Sequence, residues 1–390
     1  YHMLSKSTRI FFAIESLNVV KGGGISAALS LVNKMNELGG KSYEFTICTT
    51  KVYNQKEYNI ANNVNIKYLS ESRNNFKRFL QSCLEYRKLL SEEKPALVLI
   101  NGMWTPLICT IHWITILKSV PSIVYPRGML MQIALSIKPF KKKIAYWAYQ
   151  RFLLTKSQSI IVTSNFEAED MKLLRLNTKI LSVGNALPTD NITHNEEIES
   201  IISNRLNEKY RRFLFLSRIH PKKRVDLLID SWNHVNRGNW KLDLCGSGDD
   251  KHIKRLHQKL NDLENKGIEY HGPVYGESKL IMFKESSWFI LPSQLENFGL
   301  VILEALSNGV PVITSKNTPW KEELEQYRCG LILDDLTIES LDEKLNEAIS
   351  FSNERYKEFA CNARKLSLQY TWQSVISKTV SVYDNLIDKK

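Results

Sequence analysis

Two doubly wound α/β sheets, one in each half of the chain, are what this sequence predicts. Short β-branched and aromatic runs alternate with helical patterns from Arg9 onward, the signature of parallel strands with helices on both faces. The alternation stops in the Asn- and Glu-rich stretch Pro188 to Asn207 and restarts at Arg212. A chain of 390 residues also exceeds one ordinary core, at a prior of about 150 residues per domain. The expected organisation is a first domain over 3–187, a linker over 188–211 and a second domain over 212–370, with a last helix near Thr371 to Leu386 within 371–390.

In the first series, strands are expected at Ile10 to Ile14, Tyr43 to Thr49, Val64 to Leu69, Ala96 to Ile100, Ser122 to Tyr125, Ser159 to Thr163 and Lys179 to Val183. Lys21-Gly22-Gly23-Gly24-Ile25-Ser26 follows the first strand and opens a helix. Without side chains, the amides at Gly23 and Gly24 can approach a phosphate or sugar closely; a plain flexible turn is the alternative. Ala96 to Leu117 is a run of 22 residues with no formal charge, yet it contains Asn101, Gly102, Pro106 and His112. A buried strand followed by a buried helix fits it better than a membrane span. Pro126-Arg127-Gly128-Met129-Leu130 follows a strand end, as do Asn101-Gly102-Met103-Trp104 and Thr163-Ser164-Asn165-Phe166-Glu167. For Trp104 ordinary core packing is the other reading, and for Arg127 a surface turn.

The second series is expected at Phe213 to Ser217, Trp240 to Cys245, Ile268 to His271, Trp288 to Leu291, Val310 to Thr314 and Gly330 to Leu333. Ser217-Arg218-Ile219-His220-Pro221-Lys222-Lys223-Arg224 stands at the end of its first strand, the ligand-bearing edge of such a sheet. Arg218 and Lys223 are the cations expected to meet a departing diphosphate, with Lys222 and Arg224 as alternatives for the second. Cys245-Gly246-Ser247-Gly248 and His271-Gly272-Pro273-Val274 end the next two strands, which puts Gly246 and Val274 beside a nucleotide.

Glu296-Asn297-Phe298-Gly299-Leu300-Val301-Ile302-Leu303-Glu304 is the most informative stretch. Leu300, Leu303 and Leu306 have helical spacing, and Gly309 and Pro311 stop the pattern, so a helix starts near Phe298 and Gly299. Free N–H groups around Asn297, Phe298, Gly299 and Leu300, together with the helix dipole, suit a phosphate. Glu296 lies in front of that point and Glu304 about 2.2 turns along. A nucleotide diphospho-sugar has the matching layout of sugar, diphosphate and ribose. Taken singly, Glu296 could be a capping carboxylate and Glu304 an exposed helix residue.

The acidic pair seven residues apart, followed by Ala305-Leu306 and the strand Gly309-Val310-Pro311-Val312-Ile313, resembles glycosyltransferases of family 4, retaining enzymes of the GT-B fold. The resemblance implies two Rossmann-like domains facing each other across a cleft, with the last helix crossing back onto the first domain. It implies phosphate binding by Arg218 and Lys223, sugar contacts by Glu296 and ribose contacts by Glu304. It also implies that the glycine loop faces the donor diphosphate and acceptor, and that Trp104 and Asn165 line the acceptor pocket. Many relatives carry a histidine where Arg127 stands, and an arginine there could stabilise a departing phosphate or bind an acidic acceptor. Where Arg224 stands the family usually has glycine. Front-face attack without an enzymic nucleophile is the mechanism the resemblance implies.

Charge and cysteine usage bound the setting. The net charge is +12; residues 1–187 carry 25 Lys and Arg against 11 Asp and Glu, a net +14, and 188–390 carry −2. No acidic residue occurs between Glu93 and Glu167, while Lys138, Lys141, Lys142, Lys143, Arg151 and Lys156 interleave with Phe140, Tyr146, Trp147, Tyr149 and Phe152. Residues 138–156 therefore read as an amphipathic surface for anionic lipid, with a solvated helix face or nucleic acid as the other candidates. Six cysteines without a Cys-x-x-Cys pair match reduced, cytoplasmic usage. No signal peptide is expected, and Tyr1-His2 ahead of Met3 is set aside as a non-native remnant. No Asp-x-Asp and no His/Cys spacing points to a metal, so neither metal nor cofactor is expected.

The function expected is retaining, metal-independent transfer of a sugar from a nucleotide diphospho-sugar to a glycan or lipid-linked glycan. The setting expected is lipopolysaccharide, O-antigen or capsule-type synthesis, peripheral on the inner face of the cell membrane and without nucleic acid. A GT-B nucleotide-sugar epimerase and a basic nucleic-acid-binding protein are the alternatives.

Overall fold

The computed structural model describes residues 8–17, 23–38, 43–51, 60–70, 76–187, 195–261 and 267–388. Its contacts divide the chain into two units, Tyr1–Ala186 with Trp372–Lys390, and Leu187–Thr371.

The first unit runs β1 (Thr8–Ala13), α1 (Gly23–Leu38), β2 (Tyr43–Thr50), β3 (Asn65–Leu69), α2 (Phe76–Glu93), β4 (Leu97–Asn101), α3 (Pro106–Leu117) and β5 (Ser122–Tyr125). It continues through α4 (Gln132–Leu135), α5 (Pro139–Ala145), a π-helical turn at Tyr146–Gln150, α6 (Arg151–Lys156), β6 (Ser159–Val162), α7 (Asn165–Lys172) and β7 (Lys179–Ser182). The strands pair in parallel in the order β3-β2-β1-β4-β5-β6-β7. Every residue of β4, β5 and β6 is buried, as expected of parallel strands covered on both faces. Side chains alternate across the sheet: Ile10 and Phe12 pack with α1 and the last helix, whereas Phe11 and Ala13 pack with α2, α3 and α6. Right-handed crossovers place these two helix sets on opposite faces, because the strand order grows outward from β1 in one direction and from β4 in the other.

The second unit contains α8 (Asn195–Asn207), β8 (Arg211–Leu216), α9 (Val225–Trp232), β9 (Trp240–Cys245), α10 (Asp250–Asn261), β10 (Ile268–Gly272) and α11 (Gly276–Glu285). After these come β11 (Trp288–Leu291), α12 (Leu300–Ser307), β12 (Val312–Ser315), α13 (Lys321–Tyr327), β13 (Gly330–Leu333), α14 (Ile338–Ile349) and α15 (Asn353–Ser367). The parallel order is β10-β9-β8-β11-β12-β13. The last helix, α16 (Trp372–Ile387), belongs to the first unit, where Trp372, Val375, Ile376 and Tyr383 join its core.

One expectation is corrected. The stretch 188–211 is not an irregular linker throughout, because α8 occupies much of it and belongs to the second unit. Ile198 and Ile202, four apart, are buried in that unit's core. Arg205, one turn further, is almost fully buried and donates to four main-chain carbonyls, Lys284 O (2.8 Å), Gly309 O (2.7 Å), Phe283 O (3.0 Å) and Asn308 O (2.8 Å). Few apolar residues suffice here because one arginine anchors the helix.

In each sheet the strand order reverses once, between β1 and β4 and between β8 and β11. Loops leaving adjacent strands at such a point diverge to opposite faces and leave a crevice at the carboxyl ends.

Candidate functional site

At the β8/β11 crevice two loops are bound to each other. Lys222 O accepts the Gln294 N–H (2.8 Å) and the Ser293 hydroxyl (3.3 Å), which docks the loop after β8 onto the loop after β11. His220 helps shape the first loop: its Nδ1 accepts the Lys222 N–H (3.2 Å), and burial with nearby His252 and Arg218 holds its imidazole below the usual histidine range. The ion pair between Lys223 Nζ and Glu296 Oε1 closes the junction, with side chains only 14% and 11% exposed. Arg218 is exposed at the end of β8, and Arg224 sits at φ 54° with its guanidinium 3.8 Å from Asp226.

The start of α12 is held by aromatic packing. Phe298 is buried against Trp320 and Tyr370, with ring centroids 5.2 and 5.8 Å away, and Trp320 Nε1 donates to Phe298 O. Gly299 caps the helix at φ 75°, a left-handed conformation suited to glycine, and its carbonyl accepts Ile302 N–H (2.8 Å) and Leu303 N–H (3.4 Å). Leu300 and Val301 open the helix, so their N–H groups have no carbonyl a turn earlier within it. Asn297 lies between this cap and Glu296. Glu304, buried in the next turn, pairs with Lys279 Nζ of α11 at 2.5 Å.

Main chain also meets main chain at the neighbouring strand ends. Gly246 follows β9 at φ 147°, and a Cβ there would stand 1.8 Å from Ser217 O. Ser217 N–H bonds Cys245 O (3.1 Å), Ile219 N–H bonds Ser247 O (2.7 Å) and Gly246 N–H bonds Gly272 O (2.8 Å), which continues the sheet's pairing into the loops. Val274, half buried, follows β10 just ahead of α11.

In the first unit the corresponding edge is also built from unusual backbone. Gly102 (φ 88°), Trp104 (φ 71°), Arg127 (φ 53°), Gly128 (φ 77°) and Gly184 (φ 83°) all follow strand ends. Arg127 donates through Nε to Asn101 Oδ1 (2.9 Å) and through Nη1 to Asn185 Oδ1 (3.5 Å), and its guanidinium lies 5.1 Å from the Tyr125 ring centroid. Buried Glu167 accepts from Gly128 N–H, from Thr163 N–H (2.9 Å) and from the Thr163 hydroxyl (3.1 Å), pinning the Arg127 loop to the β6 end; burial pushes its carboxyl up. Asn165 is exposed at the first position of α7, after the Ser164 cap. Gly23 and Gly24 open α1, and a Cβ on Gly24 would meet nothing within 4 Å. Lys21 and Gly22 lie outside the described residues.

One helical face of this unit is both apolar and basic. Phe140 (75% exposed), Ile144, Trp147 (64%) and Phe152 stand out from the run α5 to α6 beside exposed Lys138, Lys141, Lys143 and Lys156. Phe76, Leu80 and Leu84 form an exposed stripe at four-residue spacing on α2, and Trp113 and Leu117 protrude from α3. Trp113 packs on Phe152 at 5.1 Å, joining α3 to α6. Two residues of the expected stripe turn inward: Tyr146 is buried, and Lys142 donates to Ala134 O.

Two family models cover most of the chain, Glycosyltransferase Family 4 over residues 22–191 and Glycosyl transferases group 1 over residues 196–366. The chain belongs to the group 1 glycosyltransferases. This group 1 glycosyltransferase is 26% identical over 58% of its length to an uncharacterized 41.2 kDa protein in the cps region of Klebsiella pneumoniae, of which the match covers 62%. It is 27% identical over 44% of its length to the O-antigen chain mannosyltransferase B of Escherichia coli, of which 45% is covered. The chain thus spans about half of the curated relatives it matches. Among solved structures, Anabaena Alr3699/HepE in complex with UDP and glucose superposes with a TM-score of 0.74 at 14% identity, over 97% of this chain and all of that one. That likeness shows the fold, GT-B.

Sequence reading of this group 1 glycosyltransferase missed three features of the site. Lys279 meets Glu304 from a different helix, so no spacing announces it. Trp320 and Tyr370, which buttress Phe298, come from other parts of the chain and share no spacing with it. Asp243, Glu269 and His271 present ligand-type atoms within 4.8 Å of one another, which no local spacing reveals because β9 pairs Asp243 with Glu269 of β10 and His271 follows two residues on, at an irregularity of the pairing. Asp243 is already bound by Arg212 Nη1 at 3.0 and 3.2 Å and lies 2.9 Å from His271 Nε2, so its charge is countered from within the unit.

Proposed function

We propose that this protein moves a sugar from a nucleotide diphospho-sugar to a glycan acceptor, with retention of anomeric configuration and without a metal ion. The observation that carries the reading is the Lys223–Glu296 pair at the switch point, one turn ahead of the free amides of α12 and two ahead of Glu304. A diphosphate seated on those amides meets partial positive charge from the helix and full charge from Lys223 and Arg218, which stabilises the leaving group as the glycosidic bond breaks. Glu296 reaches the sugar hydroxyls and Glu304 the ribose. Family membership and the UDP and glucose held by a protein of the same fold support a nucleotide-sugar donor. The O-antigen relative supports a polysaccharide setting.

The test is thermal stabilisation by a panel of UDP, GDP, dTDP and ADP sugars. The matching donor at about 100 times its dissociation constant should raise stability by about 2.7 kcal/mol, and Arg218→Ala should abolish most of the shift. A donor shift of equal size in Arg218→Ala would remove this arginine from the phosphate site. Absence of a shift with every donor would remove the donor assignment.

The same reading places the enzyme at the cytoplasmic face of a membrane, docked through residues 138–156. Exposed Phe140, Ile144 and Trp147 beside Lys141 and Lys143 support it, since apolar side chains enter the headgroup boundary while lysines meet anionic lipid. Among the described residues no helix is long and apolar enough to cross a membrane. Affinity for phosphatidylglycerol-containing vesicles, read by co-sedimentation, should fall about thirtyfold in Lys141→Gln/Lys143→Gln, at about 1 kcal/mol per lysine, and again in Phe140→Ser/Trp147→Ser. Equal sedimentation of all variants would refute the docking.

A further inference from the structure

We propose that Arg127 and Trp104 recognise an anionic group on the acceptor, a phosphate or a carboxylate, at the carboxyl edge of the first unit's sheet. The inference rests on the transferase reading and adds the chemical class of acceptor.

Arg127 is held in a way that leaves one of its guanidinium nitrogens, Nη2, without a partner among the described residues. Asn101 takes Nε at 2.9 Å, Asn185 faces Nη1 at 3.5 Å and the Tyr125 ring supports one face. The Tyr125 hydroxyl is fixed in turn by the Tyr383 hydroxyl at 2.7 Å, so the platform under Arg127 is itself bonded. Nη2 is shielded from solvent and has no hydrogen-bond partner among the described residues. Both amide partners are neutral. Glu167 is the nearby carboxylate that favours the charged guanidinium, yet its oxygens are occupied by Gly128 and Thr163, and it takes none of the arginine's N–H groups. The guanidinium therefore has Nε and Nη1 bonded to neutral amides while Nη2 is buried without a partner, and no carboxylate takes its N–H groups among the described residues.

Trp104 is a second, independent observation at the end of the neighbouring strand β4. Its indole Nε1 is likewise buried without a partner among the described residues, and its backbone sits at φ 71°, an uncommon conformation for a bulky residue. Guanidinium and indole N–H groups only donate, so whatever completes either of them is an acceptor of hydrogen bonds. A positive charge among neutral amides selects an oxyanion over a sugar hydroxyl, and the planar fork of arginine suits carboxylate and phosphate oxygens.

Binding of four probes to the full chain, read by tryptophan fluorescence, tests this: farnesyl diphosphate against farnesol, and methyl glucuronide against methyl glucoside. Preference for farnesyl diphosphate by about tenfold or more identifies a diphosphate-linked lipid acceptor, and the same preference for glucuronide identifies an acidic sugar; either supports the proposal. Arg127→Gln should erase the preference while Arg127→Lys retains part of it. Trp104→Phe, which keeps the ring and loses the N–H, should weaken the preferred probe several-fold if Arg127→Gln fails to fold. Equal binding of charged and neutral probes, or a preference that survives both Arg127→Gln and Trp104→Phe, would overturn the assignment. The UDP-sugar stabilisation proposed for the second unit serves as the separate control: its loss would strike the transferase reading, whereas its persistence with equal probe binding would strike only the acceptor class.

Discussion

Replacing Lys223 with methionine should lower the rate of sugar transfer by about 10²–10³-fold at saturating donor and acceptor, the usual size of effect when one charge-stabilising donor is removed from a reacting centre. The same substitution strands Glu296, whose side chain is only 11% exposed and whose ion-pair partner is Lys223. Leaving a largely buried carboxylate unpaired costs at least about 1–3 kcal/mol, so the melting temperature should fall as well. The two effects separate in the double variant Lys223→Met/Glu296→Gln. Removing the stranded charge should restore most of the stability and none of the rate. Transfer within threefold of wild type in Lys223→Met would show that this lysine does not meet the leaving diphosphate. A double variant no more stable than Lys223→Met would show that the pair contributes nothing to holding the two loops.

Gly246→Ala should destabilise the second unit by at least about 2 kcal/mol, the scale of a strained backbone position that cannot relax cheaply. The added Cβ would stand 1.8 Å from Ser217 O and 2.8 Å from Ser217 C, and both are main-chain atoms of the strand end that carries Arg218. No rotamer change relieves a clash with backbone; either β9 or β8 has to move. Gly24→Ala is the control. Its Cβ would meet nothing within 4 Å and it lies in the first turn of α1, so alanine should be neutral or mildly stabilising there. Chemical denaturation of the three proteins checks both, and a Gly246→Ala variant as stable as wild type would show that the strand ends yield more easily than their pairing implies.

The contrast between these glycines also shows what was legible in the sequence. The strands of the described residues fall where the apolar runs predict them, most plainly the central ones such as β4, β5 and β11, whose burial on both faces leaves continuous apolar stretches. The start of α12 is likewise visible, since Gly299, the leucine spacing and Gly309 are all local signals. Three glycines in a row around Gly23 and the strand-end position of Gly246 are both visible in the sequence, but that Gly246 faces the main chain of Ser217, at the end of another strand, is not. Arg205 is the same lesson in reverse: an arginine in a polar stretch reads as surface, and only folding supplies the four carbonyls that bury it. Lys279 and Trp320 act on the site from other elements and share no spacing with it. Local periodicity therefore reveals strands, helices and loop motifs, while the contacts that hold a motif in place come from residues that sequence spacing does not join.

The first unit closes only with α16, which follows the entire second unit in the chain. During synthesis from the N-terminus, the second unit is therefore complete while the first still lacks a helix. Until Val375 and Ile376 arrive, the face of the first sheet that α1 also covers stays partly open to water, and Tyr125, the platform beneath Arg127, waits for its bond with Tyr383. Premature release from the ribosome would yield a finished second unit tethered to an unfinished first one, a species marked for chaperones by that uncovered sheet face.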